Sequence, residues 1–127
     1  MTIASVPGDK RPGPGPSPMD LVQGAVAGCT GIDVVMILGK MRKNLEALRI
    51  EVHADRREEQ PQIYTRLELV YFIDGPDLDE PSARRAVVLS QEKYCSVSAM
   101  IEDTVKLDYR IVLNGQELPA SGATASD

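Results

Sequence analysis

Tryptophan is absent, phenylalanine occurs once, and aromatic residues make up only 4% of the chain. A core without large rings is built from Val, Ile, Leu, Met and Ala, which fill a modest volume in a domain of this size. Burial against a partner subunit would help such a domain. Histidine also occurs once, as His53. No Ser-His-Asp set can be assembled from it, and a Cys29, Cys95 and His53 metal site lacks any ligand-spacing signature. Basic charge is in deficit, with 14 Lys and Arg against 19 Asp and Glu and a net charge of -5. Phosphate neutralisation needs a concentrated basic face, so a general nucleic-acid binder is excluded. Residues 1–18 hold no apolar run of signal-peptide length. Leu21 to Ile32 is apolar or small, yet it reaches Asp33 after about a dozen residues, short of the roughly 20 that a membrane span requires. The expectations are a cytoplasmic protein with no nucleic acid, no membrane, no cofactor and no metal.

What is present points to one domain with two arms. Residues 1–17 are rich in Gly, Pro and Ser without apolar period and read as an N-terminal arm. Residues 18–115 form the domain. Residues 116–127 read as a flexible C-terminal tail, small and polar from Pro119 onward.

Ser17-Pro18-Met19-Asp20 has the parts of a helix start in order: Ser as N-cap, Pro at the first helical position and an acid at the third. Apolar residues at three-to-four spacing predict a helix from there to about Asn44, with Lys40, Arg42 and Lys43 complementing the dipole in its last turn. Gly24, Gly28 and Gly31 share one face of it, each at a cost of about 1 kcal/mol relative to Ala. They predict a groove for another helix, with Cys29 on its edge. The helix carrying Cys95 is the best candidate to fill it.

Leu48, Ile50, Val52 and Ala54 alternate with polar residues, and so do Ile63, Leu67, Leu69, Tyr71 and Ile73. These read as two strands of a long hairpin. Asp79-Glu80-Pro81 opens a helix with Ala83, Ala86, Val87, Leu89 and Ser90 inward. A second helical stretch runs from Ser96 to Val105, with Val97, Met100, Ile101 and Thr104 inward. Leu107 to Leu113 is a last strand ended by Asn114-Gly115. The fold class is α+β, a long central helix packed on an antiparallel sheet.

The only two cysteines, Cys29 and Cys95, lie far apart in the chain. Neither a zinc knuckle nor a Cys-x-x-Cys motif explains them, so joint chemistry must be assembled by the fold. Cys95 falls at a helix start, where unpaired N–H groups favour a thiolate. Cys29 sits mid-helix among Gly and Ala, where a small buried hydrophobe is the plain alternative.

Three segments now combine: Gly15-Pro16-Ser17-Pro18-Met19-Asp20-Leu21-Val22, Ala27-Gly28-Cys29-Thr30-Gly31-Ile32-Asp33-Val34-Val35 and Ser90-Gln91-Glu92-Lys93-Tyr94-Cys95-Ser96-Val97. Together they closely resemble the OsmC/Ohr family, over roughly residues 13–115, and most of all its small branch of OsmC-like proteins. The resemblance implies an interlocked homodimer with each long helix packed centrally. It implies a thiol-dependent peroxidase for organic hydroperoxides, with Cys29 as peroxidatic thiol, Cys95 as resolving thiol and an external dithiol as reductant. The alternative is a non-catalytic dimeric module of the same fold that binds a small apolar ligand or partner. Family peroxidases hold the thiolate with an Arg from N-terminal strands. Only residues 1–17 precede the helix here, so those strands are expected to be missing, with Arg11 a poor stand-in. The acid at the helix start is Asp20, one position after the family's Glu, and its expected role is capping.

Overall fold

The long helix starts where its capping residues put it. In the computed structural model, which describes residues 16–120, α1 spans Pro18–Lys40. The N-terminal arm up to residue 15, Arg11 with it, and the tail from residue 121 lie outside the described residues. Ser17 Oγ accepts from the Asp20 N–H at 3.1 Å, while Asp20 Oδ2 accepts from the Ser17 N–H at 3.0 Å. Two end donors of the helix region are thereby satisfied reciprocally, which is the capping role expected of Asp20. The Tyr64 hydroxyl donates to the Met19 carbonyl at 2.6 Å and ties this first turn to the sheet.

The other end of α1 differs from expectation. The helix stops at Lys40 rather than Asn44, because Arg42 takes a left-handed φ of 60°. Arg42 N–H donates to the Gly39 carbonyl and Lys43 N–H to the Leu38 carbonyl, both at 3.0 Å, which closes a Schellman motif. Glycine usually marks that left-handed position, and here it is Arg. Only Lys40 remains in the last turn. Lys43 reaches Asp79 instead, at 3.4 Å.

Strands β1 (Ala47–Arg56) and β2 (Tyr64–Asp74) form the expected antiparallel hairpin. After β2 come α2 (Glu80–Leu89), a π-helical turn at Ser90–Tyr94 and α3 (Ser96–Ile101). That connection is long enough to return the chain to its starting end, so β3 (Lys106–Leu113) pairs parallel to β2. The sheet is therefore mixed, not antiparallel. Alternation of apolar residues has the same period in both pairing senses and did not distinguish them. β4 (Gln116–Glu117) completes the order β1-β2-β3-β4. Asn114 and Gly115, at φ 49° and 84°, make the tight turn before it, and Gln116 and Glu117, expected in the tail, pair with β3. Asn114 also bonds both backbone groups of Gly75, which joins the ends of β2 and β3. A Cβ at Gly75 would collide with the Asn44 carbonyl oxygen.

One face of the sheet carries the core. Leu67, Leu69, Tyr71 and Ile73 alternate along β2 and are wholly buried against Val26, Val34 and Leu38 of α1 and Ala83, Ala86 and Val87 of α2. The opposite face is charged, with Arg66 bridging Asp108 at 2.8 Å and Glu68 at 3.3 Å. His53 lies on this charged face, exposed beside Glu51. α3 ends at Ile101, short of Val105, and Met100 is 75% exposed rather than inward, as is Thr104. By length and composition α1 is also apolar enough to cross a membrane, since its 23 residues continue well past Asp33. Its buried stripe of Val26, Thr30, Val34 and Leu38, four residues apart, packs on this sheet and α2 as a core helix does.

Candidate functional site

A threonine interrupts that apolar stripe. Thr30 is fully buried, one residue after Cys29, and a buried hydroxyl must find partners. Its Oγ1 lies 2.7 Å from the Tyr71 hydroxyl and 2.6 Å from Ser90 Oγ, and it accepts from Gln91 Nε2 at 3.2 Å. Gln91 Nε2 also donates to the Tyr71 hydroxyl at 2.7 Å, and Ser90 Oγ donates to Asp33 Oδ2 at 2.8 Å. α1, β2 and the π-helical turn thus meet at one polar cluster inside the core.

The wide turn at Ser90–Tyr94 is what brings the second cysteine to this cluster. Cys95 N–H reaches back to the Ser90 carbonyl at 2.7 Å, one residue further than an α-helix allows. Cys95 is then the N-cap of α3 and its sulfur accepts from the Ser98 N–H at 3.4 Å. Ser98 Oγ lies 3.2 Å from the same sulfur and 3.1 Å from Gln91 Oε1. The helix start expected at Cys95 is present. Its expected effect on the thiol is not, because burial outweighs the N–H groups. Cys95 is only 2% exposed, and that desolvation pushes its thiol above the ordinary value, against the lowering effect of the Ser98 backbone N–H. The neighbouring Cys29 thiol adds to the rise, as a hydrogen-bond partner and as a second site of negative charge. The fold therefore brings the two cysteines together. Both are free, with Cys29 half-buried and Cys95 buried.

The profile of the OsmC-like protein family matches residues 8–110. The chain belongs to the OsmC-like family. Among curated relatives it is similar to protein YhfA of Escherichia coli K12, 42% identical over 102 residues, which cover 80% of this chain and 73% of YhfA. Among solved structures, a hypothetical protein from Aquifex aeolicus is 36% identical with a TM-score of 0.76, covering 80% of this chain and 76% of that one. An organic hydroperoxide resistance protein, OsmC, from Legionella pneumophila superposes with a TM-score of 0.60 over 78% of this chain and 71% of its own, at 16% identity. That last likeness is one of fold.

In this OsmC-like chain the glycine groove has a different neighbour from the one expected. Gly31 faces Ile50 and Leu48 of β1, at 3.4 and 3.9 Å from where a Cβ would stand, while Gly24 and Gly28 look onto open space. α3 does not fill the groove, because Val26, Thr30 and Val34, not the glycines, form the core-facing side of α1. An open apolar groove remains between α1 and the start of β1, lined by Gly28, Gly31, Ile32, Val35, Met36 and Leu48. Ile32 and Met36 are 63% and 55% exposed on its rim. His53 stands on the opposite face of the sheet from Cys29 and Cys95, so the three residues do not converge. Among the described residues no group of three or more His, Cys, Asp or Glu is arranged to hold a metal ion. Thr30, Tyr71, Ser90, Gln91 and Ser98 carried no functional expectation from sequence. The available signal was Thr30 itself, a hydroxyl in an otherwise apolar stripe at four-residue spacing.

Proposed function

We propose that this OsmC-like protein is a thiol peroxidase that reduces organic hydroperoxides, acting as a homodimer and recycled by an external dithiol. The family supports a redox or peroxidase role, and the observation that carries the finer reading is the pairing of Cys29 with Cys95 across α1 and α3. Cys29 is the attacking sulfur, since it is the more accessible of the two. Its thiolate takes the distal oxygen of ROOH, becomes a sulfenic acid and releases the alcohol ROH after protonation. The Cys95 thiol then attacks that sulfur. A Cys29–Cys95 disulfide forms, and the sulfenic oxygen leaves as water with the Cys95 proton. An external dithiol reduces the disulfide by exchange and is itself oxidised. A cytoplasmic setting suits such a pair, because a permanent disulfide would not persist there.

The second reading is a non-catalytic dimeric module that binds a small apolar ligand or partner. The groove beside Gly28 and Gly31 favours it. One experiment separates the two. With one equivalent of cumene hydroperoxide the peroxidase forms an intramolecular Cys29–Cys95 disulfide, seen by mass spectrometry as the loss of two hydrogens. If both thiols stay reduced, or react no faster than free cysteine, the binding module is correct.

A further inference from the structure

The polar cluster has a direction, and Asp33 sets it. An ionised carboxylate only accepts hydrogen bonds, so Ser90 must spend its one proton on Asp33 Oδ2, 2.8 Å away. Ser90 Oγ then accepts from Thr30, at 2.6 Å. With its proton so engaged, Thr30 accepts from the Tyr71 hydroxyl at 2.7 Å, and Tyr71 accepts from Gln91 Nε2 at 2.7 Å. The amide nitrogen of Gln91 is thereby turned toward Tyr71 and its Oε1 toward Ser98, 3.1 Å away. An amide oxygen also only accepts, so it takes the Ser98 proton. Ser98 Oγ is left facing the Cys95 sulfur, 3.2 Å away, as an acceptor.

The opposite order is excluded while Asp33 is a carboxylate. With Gln91 reversed, Tyr71 would donate to Gln91 and Thr30 to Ser90, and the two oxygens 2.7 Å apart would meet with no proton between them. Such an unsatisfied contact inside a low-dielectric core is costly.

We propose that Asp33 is a positioning residue: through Ser90, Thr30, Tyr71, Gln91 and Ser98 it orders the protons so that the Cys95 sulfur meets an acceptor and keeps its own proton. Its consequence for catalysis rests on Cys29 and Cys95 being the redox pair. Cys95 then holds its proton until Cys29 is oxidised, and Cys29, the more accessible sulfur, meets the substrate first. The titratable groups bearing on Cys95 from the packed elements are Cys29 of α1 and Tyr71 of β2.

Asparagine at position 33 can donate to Ser90, which permits the bonds from Ser90 through Thr30, Tyr71 and Gln91 to Ser98 to reverse, with loss of only the longer 3.2 Å Gln91–Thr30 bond, and aims the Ser98 proton at the Cys95 sulfur. The test therefore follows iodoacetamide alkylation of Cys95 against pH in a Cys29→Ser background, which involves no peroxide and is independent of whether the protein is a peroxidase. Asp33→Asn is expected to lower the alkylation midpoint by half a pH unit or more, about threefold faster labelling at a fixed pH below it. Ser90→Ala removes the link next to Asp33 and is expected to move the midpoint the same way, so the idea remains testable if one variant folds poorly. A loosening that admits water would also lower the midpoint by relieving the desolvation of Cys95. Asp33→Glu, which keeps a carboxylate at this position, is therefore the control: it is expected to stay near the wild-type midpoint, and a fall as large as that of Asp33→Asn overturns the assignment. An unmoved or raised midpoint in folded Asp33→Asn or Ser90→Ala overturns it as well.

Discussion

Thr30 Oγ1 and the Tyr71 hydroxyl meet at 2.7 Å in the wholly buried space between α1 and β2. That contact fixes the turn of α1 that carries Cys29 to the strand beneath it. Removing one partner leaves the others buried and unpaired, which costs more than a hydrogen bond contributes on average. Tyr71→Phe keeps the ring and deletes only the hydroxyl, leaving Gln91 and Thr30 each short of a bond. It is expected to lower unfolding free energy by about 1–3 kcal/mol, measured by urea denaturation, with an unchanged m-value. A loss below a few tenths would show that the cluster contributes nothing net.

The same burial predicts how stability responds to alkali. Desolvation raises the pKa of Tyr71 well above its ordinary value, and it raises that of Cys95 as well. In the unfolded chain the thiol ionises near about pH 8.5 and the phenol near about 10. Above those values the unfolded state has released protons that the folded state still holds, so stability falls as pH rises. The contribution is complete below about pH 8.5, begins to decline above it through Cys95, and declines more steeply above about 10 through Tyr71. Tyr71→Phe is expected to flatten the steeper limb, and Cys95→Ser the shallower one, in denaturation midpoints taken from pH 7 to 11. Parallel limbs in wild type and both variants would contradict this.

Most of the scaffold was legible in the sequence because each element carries a local signature. Ser17 with Asp20 and Asp79 with Ser82 both close capping boxes where helices begin. The hairpin of β1 and β2 follows from simple alternation. What escaped was set by tertiary contact or by an atypical residue. The parallel pairing of β3 with β2 leaves no trace in a period of two. The end of α1 was hidden because Arg42, not glycine, takes the left-handed position. The π-helical turn was invisible too, since Ser90–Tyr94 reads equally well as ordinary helix, yet it is this turn that sets Gln91 and Cys95 against α1. Cys29 and Cys95 were legible as candidates. The chain of hydroxyls joining Cys95 to Asp33 was not, because its members come from α1, β2, the turn and α3.

The exposed face of α1 predicts assembly. Ile32, Val35 and Met36 are 63%, 49% and 55% exposed on consecutive turns, a contiguous apolar strip beside an open groove. A strip of that kind on an otherwise charged surface marks an interface. Sedimentation at micromolar concentration is expected to show a dimer with no stable folded monomer. Val35→Glu places a charge in the strip and should shift the equilibrium toward monomer by at least tenfold in Kd, or leave the chain unfolded. A compact wild-type monomer would remove the basis for the dimer.

The unequal exposure of the two sulfurs leads to unequal mutants. Cys29→Ser removes the accessible sulfur and leaves only the buried Cys95 thiol, so turnover should fall to the uncatalysed background. Cys95→Ser leaves the first step intact and deletes the second. It is expected to consume one equivalent of cumene hydroperoxide rapidly and then stall, with Cys29 held as a sulfenic acid that dimedone traps as a mass adduct. Excess peroxide should carry that stalled sulfur on to the sulfinic acid, a lesion that the wild type avoids by forming the disulfide. The decisive comparison is the burst of the Cys95→Ser variant against the steady turnover of wild type with a dithiol present. Steady turnover in Cys95→Ser with a monothiol reductant excluded would mean that another group resolves Cys29, and loss of the burst itself would assign the first attack to Cys95.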